Sequence, residues 1–349
     1  MAAPSRQILI TGALGWLGKR LTRLLAEGTY DALLDGRPAL RCLVLPEQDP
    51  SELRSMGPHV EVIAGDLRNP TDCARFVENS AGALLIHTAG IIHPQRVGEF
   101  YEINVQGARN LLAAAKNERI GRAVMVSSNS PLGNNPHPDH LFDENSPYHP
   151  YMNYGRSKMQ MEQAVIAASQ SGDLETVIVR PPWFYGPDQP PRQTLFFRMV
   201  KSGKAPIVGS GANLRSMGYV DNLSQGLVLA ATHPTAAGQI YWIADRRPYA
   251  MTEIIDTIER LLEEEFHIPV AHRRMRLPGL AGTVAEAADA LLQGARLYNQ
   301  KIHVLSEMNK TIACSIQKAE RELGYRPQVA LEEGMRRSIQ WCLDRGIKI

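Results

Sequence analysis

Along the first half of the chain, short apolar runs alternate with segments whose apolar positions recur every three to four residues. Gln7–Thr11 (QILIT) is the first run; Gly-rich punctuation follows, and then Leu17, Leu21, Leu24 and Leu25 share one face of an expected helix. The same scheme predicts strands at Leu40–Leu45, Val60–Ala64, Ala83–His87, Ala123–Ser127 and Thr176–Val179. Helices are expected between them at Ser51–Met56 and Cys73–Glu78, around Val105, Ala108, Leu111, Leu112 and Ala115, and over Gly155–Ser169. Near-continuous apolar strands, each followed by a helix, predict a parallel sheet covered on both faces. The expected fold class is a doubly wound α/β sheet, with its ligand crevice at the carboxyl ends of the strands.

The alternation stops after Arg180, where Pro181, Pro182, Pro187, Pro190 and Pro191 crowd together. Helical patterns return at Thr252–Glu264, Val284–Leu297, Ile316–Leu323 and Leu331–Arg345, which reads as a smaller, mostly helical C-terminal lobe. Residues 1–180 are therefore expected to form the sheet domain, rejoined by 217–245 through strands at Met217–Asp221 and Gln239–Ile243. Residues 181–216 and 246–349 are expected to form the substrate-binding lobe. Ser130–Pro150, rich in Pro, His and Asn, reads as a long loop of the kind that often carries function.

Composition narrows the classes. Of 349 residues, 44% are hydrophobic and 21% charged, as in ordinary globular proteins. The 38 basic and 36 acidic residues are interspersed, and a net charge of +2 leaves no footprint for nucleic acid or membrane. A small-molecule partner is expected. Cys42, Cys73, Cys314 and Cys342 are scattered without metal-ligand spacing, so neither a metal site nor a disulfide framework is indicated. With no long apolar stretch and no signal-peptide pattern, the expected location is cytoplasmic.

Between the first strand and first helix stands Thr11-Gly12-Ala13-Leu14-Gly15-Trp16-Leu17-Gly18. Glycines here let a pyrophosphate approach the backbone, the helix N-terminus offers free N–H groups, and Gly18 permits close helix packing. The spacing differs from Gly-x-Gly-x-x-Gly but serves the same mechanism, that of a Rossmann-type dinucleotide turn. Further motifs follow in order: Gly65-Asp66-Leu67, His87-Thr88-Ala89-Gly90, Asn104-Val105-Gln106-Gly107, Ser127-Ser128, Tyr154-Gly155-Arg156-Ser157-Lys158, Arg180-Pro181-Pro182, Tyr185-Gly186-Pro187, Tyr219-Val220-Asp221-Asn222 and Leu323-Gly324-Tyr325. Together they resemble the extended short-chain dehydrogenases/reductases, the epimerase, dehydratase and 3β-hydroxysteroid-dehydrogenase-like group, over nearly the whole chain.

The resemblance implies a bound dinucleotide held by Gly12, Gly15, Trp16, Leu17 and Gly18. Asp66 is expected at the adenine amino group with Leu67 beside the ring, although Gly65-Asp66 also reads as a capped turn. Thr88, Ala89, Gly90 and Pro181 are expected along the cofactor channel, and His87 reads equally as a packed structural residue. Leu45 stands where such enzymes place the residue that separates NAD from NADP. Glu47, two positions later, favours NAD because a carboxylate repels the extra phosphate; Arg41 and Lys19 keep NADP open.

Tyr154 and Lys158 are four residues apart on one helix face, where an ammonium favours the phenolate and makes proton transfer accessible. Tyr151 has Gly155 at that offset instead. The resemblance gives Lys158 a second task, bridging the nicotinamide ribose, and makes Ser128 the donor to the substrate oxygen, with Ser127 and Ser130 as neighbouring alternatives. Asn104 is expected either to hold a water or backbone contact that relays protons or to pin two strands together.

The same apparatus serves several chemistries. Ser128-Asn129-Ser130 lacks the Thr-Asp-Glu of the dehydratases, and Trp183 replaces the Asn common in sugar-nucleotide enzymes. Arg215 matches an arginine that contacts a nucleotide diphosphate, but its second partner has no counterpart around Asn309–Ser315. Ser130, Trp183 and Arg215 are the expected substrate contacts, with Phe184, Phe196 and Phe197 as further pocket candidates. The preferred reaction is interconversion of a secondary alcohol and a ketone; a nucleotide-sugar 4-epimerase with tightly bound NAD is the alternative, and a cofactor-sensing regulator a third reading. A homodimer is expected through a four-helix interface formed by Val105–Lys116 and Gly155–Ser169, which present Met159, Ala164 and Ala168.

Overall fold

Alternate side chains of the first strand enter different layers: Ile8 and Ile10 pack with Leu17, Leu21 and Leu227, while Leu9 packs with Leu111, Ala115 and Met161 on the opposite face. A strand buried on both sides in this way belongs inside a parallel sheet. In the computed structural model, which describes residues 6–349, seven strands form that sheet. They are β1 (Gln7–Thr11), β2 (Ala39–Val44), β3 (Val60–Ala64), β4 (Leu84–His87), β5 (Arg122–Val126), β6 (Glu175–Arg180) and β7 (Ile240–Trp242), in the order β7-β6-β5-β4-β1-β2-β3. Every neighbouring pair is parallel. The order reverses between β1 and β4, so their carboxyl ends diverge and open a crevice.

Ten helices matter below: α1 (Trp16–Glu27), α2 (Pro70–Val77), α3 (Ala108–Asn117), α4 (Met152–Gln170), α5 (Pro191–Lys201), α6 (Val220–Thr232), α7 (Met251–Arg260), α8 (Leu280–Gly294), α9 (Gln300–Glu307) and α10 (Leu331–Asp344). The first and sixth cover one face of the sheet; α2, α3 and α4 cover the other. Asn69 caps α2 by accepting from the Thr71 amide, and Gly28 in the left-handed region closes α1 with its N–H on the carbonyls of Leu24 and Leu25. A third apolar cluster lies outside the sheet, with Phe197, Ile207, Ile254, Ile258, Met335 and Ile339 buried together.

Two sequence expectations need correction. Met217–Asp221 does not rejoin the main sheet: Met217–Tyr219 pairs with Trp183–Tyr185, and Val220 already begins α6. The free edge of β6 is taken by β7, which pairs Ile240–Trp242 with Ile178–Arg180, so the earlier segment finds another partner. The helix expected around Val105 starts earlier, as a π-wound stretch Phe100–Gly107 that runs into α3. Such wide turns are frequent at functional sites, and Asn104 lies in this one. The long loop is strapped down: Asn135 bonds the backbone of Ala313 in both directions, and the Trp242 amide donates to Glu144 at 3.1 Å.

Candidate functional site

The glycine turn and the end of β4 meet across the crevice. Gly12 has φ +71°, and a Cβ there would come 2.6 Å from the Ala89 amide nitrogen; a Cβ on Gly18 would strike the Gly12 carbonyl. Thr88 Oγ1 ties the strands by donating to the Thr11 carbonyl at 2.7 Å. Gly15 begins α1 with no side-chain cap, and the first turn carries no acid. A helix N-terminus with free amides and no competing carboxylate fits a pyrophosphate. Trp16 ties this turn to the segment after β6: its Nε1 donates to the Pro187 carbonyl at 2.7 Å and its ring packs on Phe184.

On the adenine side, Asp66 is held by Arg68, whose backbone amide and guanidinium both bond the carboxylate and keep it below the usual carboxylate range. Leu67 is buried beside Gly107. Glu47 is exposed on the loop after β2, and its field reaches Arg68. Both candidates for an NADP phosphate contact are engaged elsewhere. Arg41 bonds Glu61 at 2.6 Å, Ser80 at 2.9 Å and the Glu78 carbonyl at 2.6 Å; Lys19 pairs with Glu52 at 3.3 Å. His87 is a packed residue, with Nδ1 2.7 Å from Thr11 Oγ1 and burial pushing its pKa down to about 3.

Ser128, Tyr154 and Lys158 converge at the ends of β5 and α4. Burial pushes the Tyr154 phenol up to about 12, opposed by the nearby Ser128 side chain. Burial pushes the Lys158 ammonium down to about 8, opposed by Glu162. The ammonium points under the strand end, donating to the Val126 carbonyl at 2.7 Å, and desolvation outweighs any pairing. The neighbouring Ser127 serves a different pair: it donates to Glu162, which bridges Arg180 at 2.7 Å with both side chains essentially inaccessible. Asn104 spends its amide on both backbone atoms of Ile91 and on Ser157 Oγ at 3.1 Å, the pinning arrangement between the β4 exit and α4. Lys158 Nζ also lies 3.9 Å from where a Cβ on Gly90 would stand, which places it at the crevice.

The start of α4 is held from the far lobe. Met152 adopts φ +51°, a left-handed conformation that costs a non-glycine residue about 1 kcal/mol or more. Gln293 of α8 secures the next residue, accepting from both the Asn153 amide at 3.1 Å and its side chain at 3.0 Å. The Gln293 amide donates to Asp289, which bonds His303 of α9 at 2.7 Å. Those bonds outweigh burial and raise the His303 pKa. Tyr151 reaches Ser306 at 2.6 Å rather than Lys158, and Phe100 packs between Tyr154 and Tyr298. None of Gln293, Asp289, His303, Tyr298 and Phe100 was marked by a motif. The available signal was two polar residues four apart in an otherwise Ala/Leu-rich helix.

Of the expected substrate contacts, Ser130 is buried beside Ser128, their hydroxyls 3.3 Å apart, and its carbonyl accepts from the Tyr151 amide. Arg215 stacks 4.6 Å over Trp183 and donates to the Glu307 carbonyl, while Nε and Nη1 are buried without a partner among the described residues. That desolvation pushes its pKa down to about 10. Phe197 is core rather than pocket lining, and Phe184 is committed to Trp16.

A nucleotide cradle at a sheet reversal, with serine, tyrosine and lysine gathered at its rim, defines a dinucleotide-dependent enzyme. The chain belongs to the NAD dependent epimerase/dehydratase family, whose sequence profile matches residues 8–244. It is 55% identical to the uncharacterised protein y4nL of Sinorhizobium fredii, over 97% of this chain and 96% of that one. It is 28% identical to the 4-hydroxy-2-methyl-3-oxo-4-farnesyl-3,4-dihydroquinoline-1-oxide ketoreductase of Stigmatella aurantiaca, over 93% of each chain. Its fold is similar to that of DesIV, the dTDP-glucose 4,6-dehydratase of Streptomyces venezuelae solved with NAD bound. That similarity has a TM-score of 0.77 at 25% identity and spans 97% of this chain and 98% of the other.

Proposed function

We propose that the protein interconverts a secondary alcohol and a ketone by hydride transfer with NAD, Tyr154 serving as the acid and base. The observation that carries this reading is the placement of Ser128 at the end of β5 and of Tyr154 on the first turn of α4, beside the buried Lys158 ammonium that donates to the Val126 carbonyl. Gly12, Gly15, Trp16, Leu17 and Gly18 hold the pyrophosphate, Asp66 and Leu67 the adenine, Glu47 the adenosine ribose, and Thr88, Ala89, Gly90 and Pro181 the channel to the reacting end. When bound, the nicotinamide accepts or supplies the hydride. In the oxidation direction Tyr154 Oη takes the hydroxyl proton; in reduction it returns that proton to the carbonyl oxygen. Ser128 donates to the same oxygen and stabilises its developing charge. With the dinucleotide bound, Lys158 would hold its ribose in place of the Val126 carbonyl, and its charge would lower the cost of the phenolate. Asn104 keeps the β4 exit and α4 in register.

The runner-up is a nucleotide-sugar 4-epimerase, favoured by one observation: the two unpaired guanidinium nitrogens of Arg215 suit an anionic diphosphate. Trp183, in place of the Asn common in sugar-nucleotide enzymes, and the missing second diphosphate arginine around Asn309–Ser315 favour the first reading. The test is incubation of the purified protein with NAD(H), a panel of alcohols and ketones, and UDP-sugars. Net change in nicotinamide absorbance supports the oxidoreductase; an inverted sugar without net turnover supports the epimerase.

A further inference from the structure

Helix α8 is inside out. Its buried stripe carries Ala285, Asp289 and Gln293, and the two polar members are the ones bonded to His303 and Asn153. Its solvent face carries Leu280, Val284, Ala287, Leu291 and Gly294, at steps of three and four residues, with Thr283 and Ala290 beside them. Leu291 is 76% exposed and Leu280 69%, and just beyond the helix Leu297 is exposed as well. Between α8 and α9 an open groove of about 510 Å³ is walled by Pro278, Leu280, Val284, Ala288, Ile302 and Leu305, without a charged side chain. Scattered exposed leucines are ordinary, but a contiguous apolar face marks a contact surface.

The charges around this face choose among occupants. Between residues 271 and 305 the carboxylates are Glu286 and Asp289, and both are already paired, with Lys310 and His303. Arg273 and Arg276 before the helix, and Arg296 and Lys301 after it, are exposed and have no ion-pair partner among the described residues. A two-fold contact between copies of this chain would bring these cations together. An anionic bilayer surface complements them and accepts the leucines below its headgroups. No described helix is long and apolar enough to cross a membrane. At 15 residues, α8 is about 22 Å long and suited to lying in the interface plane.

We infer that α8 and the α8–α9 groove form a peripheral docking surface for anionic lipid membranes. The near-neutral charge of the whole chain masks this surface because its acids are concentrated elsewhere. The inference is independent of the reaction, but it has a consequence for substrate access: the opposite stripe of α8 holds the start of α4, so a docked molecule presents its active-site cover to the bilayer.

The test is flotation of the full-length protein with vesicles of phosphatidylcholine alone or with about 30 mol% phosphatidylglycerol. Co-flotation is expected with the anionic vesicles only, and is expected to fade as salt rises from about 0.05 M to about 0.5 M. Val284→Asp with Leu291→Asp is expected to lower the bound fraction about tenfold at an unchanged thermal midpoint, and Arg296→Gln with Lys301→Gln severalfold. Absence of binding to anionic vesicles, or binding by the aspartate variant equal to that of the wild type, overturns the proposal. So does a dimer that ignores vesicles and dissociates on Leu291→Asp, which assigns the face to a second copy.

Discussion

The carboxyl edge of the sheet and the α8–α9 cover meet at Tyr154, yet they are built on opposite rules. At the sheet edge, apolar residues fill both faces, backbone groups pair along seven strands, and the buried charges include Lys158 and the Glu162–Arg180 pair. In the cover, the buried stripe is polar and the leucines face solvent; α8 reaches α4 through the chain Asn153–Gln293–Asp289–His303. The difference teaches that the reacting groups and the helix pair beside them are held by different forces. Nondirectional packing fills both faces of the sheet beneath the reacting groups, and a few directional bonds tie α8 and α9 to the start of α4.

The largest test of that contrast lies beneath the edge. Glu162→Ala leaves Arg180 buried and uncompensated, and is expected to cost about 3–5 kcal/mol of stability in urea titration. Gln293→Ala in the cover should cost much less; equal losses would erase the distinction between the two regions.

Next is Lys158→Met. The folded pKa of about 8 lies below the ordinary lysine value of 10.5, so at neutral pH burial of the ammonium costs the native state up to about 3 kcal/mol. The unfolded chain binds more protons between those two values, and the penalty therefore shrinks as pH rises from 8 towards 10.5. The methionine variant is expected to melt higher than the wild type at pH 7, with the gap closing in that alkaline window, and to lose turnover. A lower melting point at pH 7 would mean that the Val126 hydrogen bond outweighs the desolvation.

In the cover, protonated His303 bonded to Asp289 is expected to contribute about 2 kcal/mol, the value of a charge-assisted hydrogen bond. Because its folded pKa is raised, that contribution is complete below the unfolded value near 6.5 and is lost as pH rises through the folded value. Hydrogen exchange in α9 should accelerate over that step in the wild type. Asp289→Asn should show fast exchange on both sides of the step; a variant that retains the wild-type pH dependence would assign it to another group.

The smallest expected effect concerns the cofactor. With Arg41 and Lys19 engaged, NAD should bind more tightly than NADP, and Glu47→Gln should narrow the gap a few-fold, mainly by improving NADP binding. Tighter NADP binding by the wild type would make Glu47 a bystander and direct attention to Arg68.

How much of this was legible follows the same division. Gln7–Thr11 announced its strand because burial on both faces leaves an unbroken apolar run, and the glycine turn announced its role because close approach at Gly12 and Gly18 excludes a side chain. Ser128, Tyr154 and Lys158 were readable as positions but not as electrostatics: whether an ammonium faces a phenol or a carbonyl is set by packing that spacing does not encode. Met217–Tyr219 was misplaced because a short strand takes whichever edge is free. The cover was the least legible, since Asp289 and Gln293 look like solvent-facing residues in an Ala/Leu-rich helix until the fold turns them inward.

The central claim is that Tyr154 moves the proton while the cradle independently holds the dinucleotide, and Tyr154→Phe separates the two. Purified wild type and variant would be titrated with NADH by fluorescence, then mixed with the best ketone from the panel while nicotinamide absorbance is followed. The variant is expected to bind NADH as the wild type does and to turn over about 10²–10⁴-fold more slowly, the usual worth of a positioned acid. Near-wild-type turnover by Tyr154→Phe would remove Tyr154 from the reaction and contradict the proposed mechanism.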